Sequence, residues 1–228
     1  MRPLDPAAHR DRYKGQDIYV IGSGPSLNHI PASFFNNKIL VSANHGSMKV
    51  LDRVDYLVTK YHRHAWEYQE WWPHIPTVVP RCEVGDKFGL QLPANSPFIV
   101  VETNHNTYDK WTAADWPTEP NALIATWSTI ATAMHWAAHL GAANIIMVGH
   151  DCGHIDETGR VPNYREEADG VLNDDGDSWM WQQFDQQSRI VKAELMQRYS
   201  CTVTSLNPFI NMNLEGHGWR SFAGSLNV

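Results

Sequence analysis

Several short runs in this chain are apolar on consecutive residues, not on alternate ones, and that pattern narrows the fold more than any other feature. Asp17–Ile21 (DIYVI), Lys38–Ser42 (KILVS), Asp55–Thr59 (DYLVT) and Asn144–Val148 (NIIMV) are each too short for a helix and rich in β-branched residues. A strand that is apolar on both faces is buried on both faces, which is the situation of a parallel sheet covered by helices. Thr77–Val79 and Pro97–Val101 (PFIVV) read the same way. Cys82–Ser96, rich in Gly and Pro signals, reads as loop.

The second half supplies helices. Ser128 is placed to cap a helix whose apolar positions Ile130, Ala133, Met134, Ala137 and Ala138 fall on one face, with Gly141 as the stop. A longer helix is expected from Ser178, as its cap, to Tyr199, with Trp181, Phe184, Val191, Leu195 and Tyr199 along one side. It feeds a last strand at Cys201–Thr204. Strands alternating with helices imply parallel pairing with crossover connections. The expected class is therefore α/β, a mostly parallel sheet with helices on both faces. At 228 residues the chain fits one domain over positions 1–228.

Composition excludes several partners. The net charge is −7, with no long block of Lys or Arg, so tight non-specific nucleic-acid binding is disfavoured. No run of about 18 apolar residues offers a membrane span. Met1–Gln16 lacks the apolar core of a signal peptide, so a cytoplasmic location is expected. Cys82, Cys152 and Cys201 have no paired spacing, which argues against a disulfide framework.

Ligands of open parallel sheets bind outside the carboxyl ends of the strands. Three loops fall there. Gly22-Ser23-Gly24-Pro25-Ser26-Leu27 combines glycines that let backbone N–H groups approach a phosphate with two serine hydroxyls, or else forms a tight turn that binds nothing. Leu27 stands where the dinucleotide fingerprint needs its third glycine. Asn44 stands where that fingerprint needs an acid, so NAD is disfavoured. Asn44 can hydrogen-bond a ribose or base edge, or it can end its strand in an Asx-turn. Ser128 and Thr129 open a helix whose start favours an anion. Gly149-His150-Asp151-Cys152-Gly153-His154 is the densest polar cluster. Alternate residues of an extended segment do not converge on one ion without further ligands, so acid/base work, or a hydrogen bond to ribose, by Asp151 and His154 is favoured over a metal site.

Ile21-Gly22-Ser23-Gly24-Pro25-Ser26-Leu27 followed by Ser42-Ala43-Asn44 resembles the start of the bacterial family 42 sialyltransferases. Ser128-Thr129-Ile130-Ala131, Leu140-Gly141-Ala142 and Gly149-His150-Asp151 are similar to their central helix–strand unit, and Val203–Pro208 to their last strand. The resemblance implies a Rossmann-like fold and metal-free transfer of a sugar from a nucleotide donor. Gly22, Ser23, Gly24, Ser26, Asn44 and Ser128 would then line the nucleotide. The related archaeal hydroxymethyl-dihydropterin pyrophosphokinases share the glycine loop but use ATP and magnesium.

One departure bears on mechanism. Counting back from Pro208 puts Gln183 at the family's catalytic histidine, and an amide is no base. His154 is the expected replacement, with Asp151 beside it and with Tyr164 and His217 as rivals. The expected function is a glycosyltransferase that needs no cofactor and takes a nucleotide-sugar donor, its acceptor and oligomeric state left open. Alternatives are a magnesium-dependent pyrophosphokinase and a non-catalytic nucleotide-binding module.

Overall fold

The computed structural model describes residues 4–24, 27, 30–49, 51, 53–81, 97–103, 111–126, 128–150 and 178–206. They form one sheet of seven strands: β1 Asp17–Ile21, β2 Ile39–Ala43, β3 Tyr56–Val58, β4 Thr77–Pro80, β5 Ile99–Val101, β6 Asn144–Val148 and β7 Thr202–Ser205. Every pairing is parallel, and the spatial order is β5-β4-β3-β2-β1-β6-β7. Three α-helices accompany it among the described residues: α1 His62–Trp71, α2 Thr129–His139 and α3 Ser178–Tyr199. This is the expected α/β architecture with a Rossmann-like strand order.

The two-sided apolar runs do what their composition requires. Ile18 and Val20 of β1 face a core shared with α2 and α3, while Tyr19 and Ile21 face a second core. That second face is closed by Leu27, Ile30, Phe35 and Leu51 from short connections and by Tyr68 of α1. No α-helix is described between β1 and β2; the connection carries a 3-10 turn, Ala32–Phe35, entered through Pro31. Among the described residues, helical coverage of this face comes from α1.

α2 departs from the amphipathic expectation. All eleven of its residues are buried, not one stripe, because the helix lies between the sheet, α3 and Trp111 and Trp116. Its ends follow the sequence signals. The Ser128 hydroxyl accepts from Ile130 N–H at 3.3 Å. Gly141, at φ +90°, closes a Schellman arrangement in which its N–H meets Ala138 O and that of Ala142 meets Ala137 O. The polar side chains of so buried a helix need partners. His135 Nδ1 accepts from Ile124 N–H at 3.1 Å, which leaves Nε2 to donate to Tyr199 Oη at 2.6 Å. Burial pushes His135 down to about 3, so this histidine is neutral and structural.

α1 is not announced by the sequence. Its first residue follows Tyr61, whose side chain makes no capping bond, and no apolar stripe marks it. It is held instead by burial of Ala65 and Tyr68 and by His62 Nε2, which donates to Pro80 O at 3.0 Å. Among the described residues no helix is long and apolar enough to cross a membrane. Cys201 is a free, buried thiol.

Candidate functional site

The chain runs outward from β1 to β2 through β5, then returns to the other side of β1 for β6 and β7. The strand order thus reverses between β1 and β6, and the crevice at such a reversal is where open α/β sheets take ligands. Two of the three loops that the sequence singles out leave the sheet there. Gly22 N–H donates to Val148 O at 2.7 Å and Gly24 N–H to Gly149 O at 2.7 Å. A Cβ on Gly22 would lie 2.3 Å from Gly149 O and 3.0 Å from Ile130 Cδ1. Gly149 has φ +65°, and a Cβ there would lie 2.9 Å from Gly22 O. The first turn of α2, the glycine turn after β1 and the end of β6 therefore converge on one spot.

This geometry gives the glycines a role that spacing alone does not show. Gly22 and Gly149 are needed so that two loops can touch each other. The N–H groups of Gly22 and Gly24 are committed inside the fold and do not point at a ligand. Ser23, between them, has no hydrogen-bond partner among the described residues, so it is the donor of this turn that a phosphate could use. Among the described residues, α-helical character at the crevice comes from α2, through Ser128 and Thr129.

Asn44 sits one strand over, at the end of β2, in the left-handed region at φ +59°. Its N–H donates to Val58 O at 2.8 Å. The Asx-turn reading fails, because Asn44 Oδ1 is buried and accepts nothing. The strand end is fixed instead by Ser42, whose hydroxyl donates to Asn44 O at 2.6 Å and lies 2.5 Å from Ser47 Oγ. Asn44 thus presents an unmatched buried acceptor beside the crevice. A ligand hydroxyl would satisfy it.

Pro25, Ser26, Asp151, His154, Tyr164 and His217 lie outside the described residues. His150 is buried, and its Nε2 is 2.7 Å from Ser188 Oγ of α3, so packing and that bond hold it. Gln183 lies half-buried on the same helix. Among the described residues no group of three or more His, Cys, Asp or Glu is arranged to hold a metal ion.

Sequence reasoning overlooked the chain just past β3. Lys60 is 2% exposed, and its Nζ donates to Thr126 O at 2.6 Å. Burial pulls its ammonium down to about 7. Desolvation penalises the charged form, and a lysine so perturbed at the ligand end of a sheet is a functional candidate on physical grounds. The available signal was position alone: a lysine immediately after the run Asp55–Thr59, at a carboxyl end. No family model and no curated protein matches this chain.

Proposed function

We propose that the crevice between β1 and β6 binds a nucleotide, and that the protein is a transferase moving a sugar from a nucleotide-sugar donor to an acceptor hydroxyl. The observation that supports the first half is the meeting of the glycine turn that carries Ser23 with the first turn of α2 at the reversal of strand order, with the unmatched Asn44 Oδ1 one strand over. Ser23 and the first turn of α2 suit a phosphate, and Asn44 suits a ribose hydroxyl. The transfer chemistry rests on the likeness of the glycine turn and the helix–strand unit to the sialyltransferases. In that reaction the acceptor oxygen must lose a proton while the departing phosphate gains charge. His154 and Asp151, a few residues beyond β6, are the proposed proton carriers.

The test is a thermal-shift and calorimetric panel of CMP, UMP, UDP, GDP, ADP, ATP and NAD, each with and without magnesium. A ligand that binds only the folded chain raises its melting temperature by mass action. The expected result is that a pyrimidine nucleotide stabilises the protein more than NAD does, without magnesium. Gly24→Val should weaken that binding at least tenfold, about 1.4 kcal/mol, by pushing apart the turn that presents Ser23. Tight NAD binding with no response to any mono- or diphosphate contradicts the reading.

A further inference from the structure

The chain just past β2 and β3 gathers aromatic rings at the ligand end of the sheet. Asn44 N–H donates to Val58 O at 2.8 Å, so the end of β2 is tied to the last residue of β3. Tyr61 follows Val58 by three residues, a stretch of chain that spans at most about 11 Å. Tyr61 is 40% exposed, yet its ring is held. His64 meets it edge-on with centroids 5.3 Å apart, and Lys60 Nζ lies 5.8 Å from its centroid. His45, the residue after Asn44, lies 6.4 Å from the His64 ring. Its Nδ1 is 3.1 Å from the hydroxyl of buried Tyr68, which fixes the imidazole. Tyr61, His64 and His45 thus form one ledge of neighbouring rings between the ends of β3 and β2.

Two separate observations favour a ligand on this ledge. Asn44 Oδ1, beside His45, is buried without a hydrogen-bond partner, and a buried acceptor left unmatched costs stability. Tyr61 offers a ring that is already immobilised by its neighbours but still open to solvent, so a stacking partner pays little for ordering it.

We propose that the ledge is the base-stacking subsite of the nucleotide, with the base lying on Tyr61 and its polar edge toward the imidazoles of His64 and His45. This rests on the nucleotide reading of the β1/β6 crevice and extends it. The succession of contacts favours a nucleobase over another ring. The glycine turn with Ser23 follows β1, Asn44 follows β2 and Tyr61 follows β3, in steps of one strand, about 4.8 Å each. Phosphate, ribose and base succeed one another in the same order along a nucleotide. Stacking alone tolerates any base, because each has a π-face. Hydrogen bonds from the two imidazoles would supply the preference among bases. The β6 side of the crevice is left for the transferred sugar.

Calorimetry of the full chain with UMP, CMP, AMP and ribose 5-phosphate tests this in the wild type, Tyr61→Leu and Trp66→Leu. The wild type should bind its best nucleotide at least fivefold tighter than ribose 5-phosphate, which lacks a base. Tyr61→Leu should weaken that nucleotide at least fivefold, the low end for losing one stacked ring, and leave ribose 5-phosphate unchanged. Trp66 is an exposed ring of the same helix that packs on Phe98 instead, so Trp66→Leu should keep the wild-type affinity. The wild-type comparison decides the question even if Tyr61→Leu does not fold. Ribose 5-phosphate binding as tightly as every nucleotide, unchanged nucleotide affinity in Tyr61→Leu, or an equal loss in Trp66→Leu overturns the base subsite and leaves nucleotide binding at the crevice standing. Binding of no nucleotide at all overturns both.

Discussion

Replacing Gly22 with valine is expected to remove about 3 kcal/mol or more of stability, the upper end for overpacking a well-filled site. For a chain of this size that is a fall of roughly 10 °C in melting temperature. The reason is the crossing of β1 and β6. The first carbon of any side chain at Gly22 would sit 2.3 Å from the carbonyl oxygen of Gly149, and that oxygen is backbone, already accepting from Gly24 N–H. It cannot swing aside as a flexible side chain would. Moving it disturbs the end of β6, and Ile130 closes the other side at 3.0 Å. Gly22→Ala meets the same oxygen and should lose nearly as much. By contrast, Gly15→Ala has open space around its Cβ, and only the strain of φ +79° opposes it, on the order of 1–2 kcal/mol. Chemical melts of the three variants check the ranking. Equal, small losses would mean that the two loops do not touch as described.

The second large effect is a pH dependence assigned to Lys60. Its folded-state value is about 7, against an ordinary 10.5, because burial disfavours the ammonium. Between these values the unfolded chain binds a proton that the folded chain does not, so stability rises with pH across this window. Below about pH 7 both states are charged and the full burial penalty applies; above about 10.5 both are neutral and it vanishes. Each pH unit crossed inside the window is worth about 1.4 kcal/mol. From about pH 6.5 to about 9.5 the wild type should therefore gain roughly 3 kcal/mol relative to Lys60→Met. The comparison with Lys60→Met cancels the titration of every other group, provided that the two chains share one fold. The variant should match or exceed the wild type at the acid end and fall behind as pH rises, when the burial penalty is gone and the loss of the bond to Thr126 O still counts. Urea denaturation at several pH values reads this. A stability difference that stays flat with pH would show that Lys60 keeps an ordinary lysine's affinity for protons.

The contrast between these two residues shows what was legible in the sequence. β1, β6 and α3 have the bounds that their apolar runs and periodicity indicate. β2 and β7 are displaced by one residue, Ile39–Ala43 and Thr202–Ser205 against the expected Lys38–Ser42 and Cys201–Thr204. Their ends are set by pairing with neighbours, Ile39 opposite Ile18 and Thr202 opposite Asn144, which no single run of residues specifies. α1 escaped notice because its stability comes from Tyr68 and His62 docking on the sheet, not from a cap or an apolar stripe. The glycine turn was legible as a special place, but whether its glycines admit a ligand or a neighbouring loop depends on contacts 127 residues away in the chain, Gly22 against Gly149. Lys60 was invisible for a related reason. A lysine after a strand reads as its solvent-facing end until the fold buries it.

Photolabelling with an azido-pyrimidine nucleotide, followed by mass spectrometry of tryptic peptides, tests the central claim most directly, because it reports where a nucleotide binds. The switch-point assignment predicts label on the peptide spanning residues 15–38, which holds the glycine turn, and on 111–160, which holds the α2 start and the end of β6. Unlabelled nucleotide should suppress both. Suppressible label confined to other peptides, with neither of these two marked, would contradict nucleotide binding at the β1/β6 crevice.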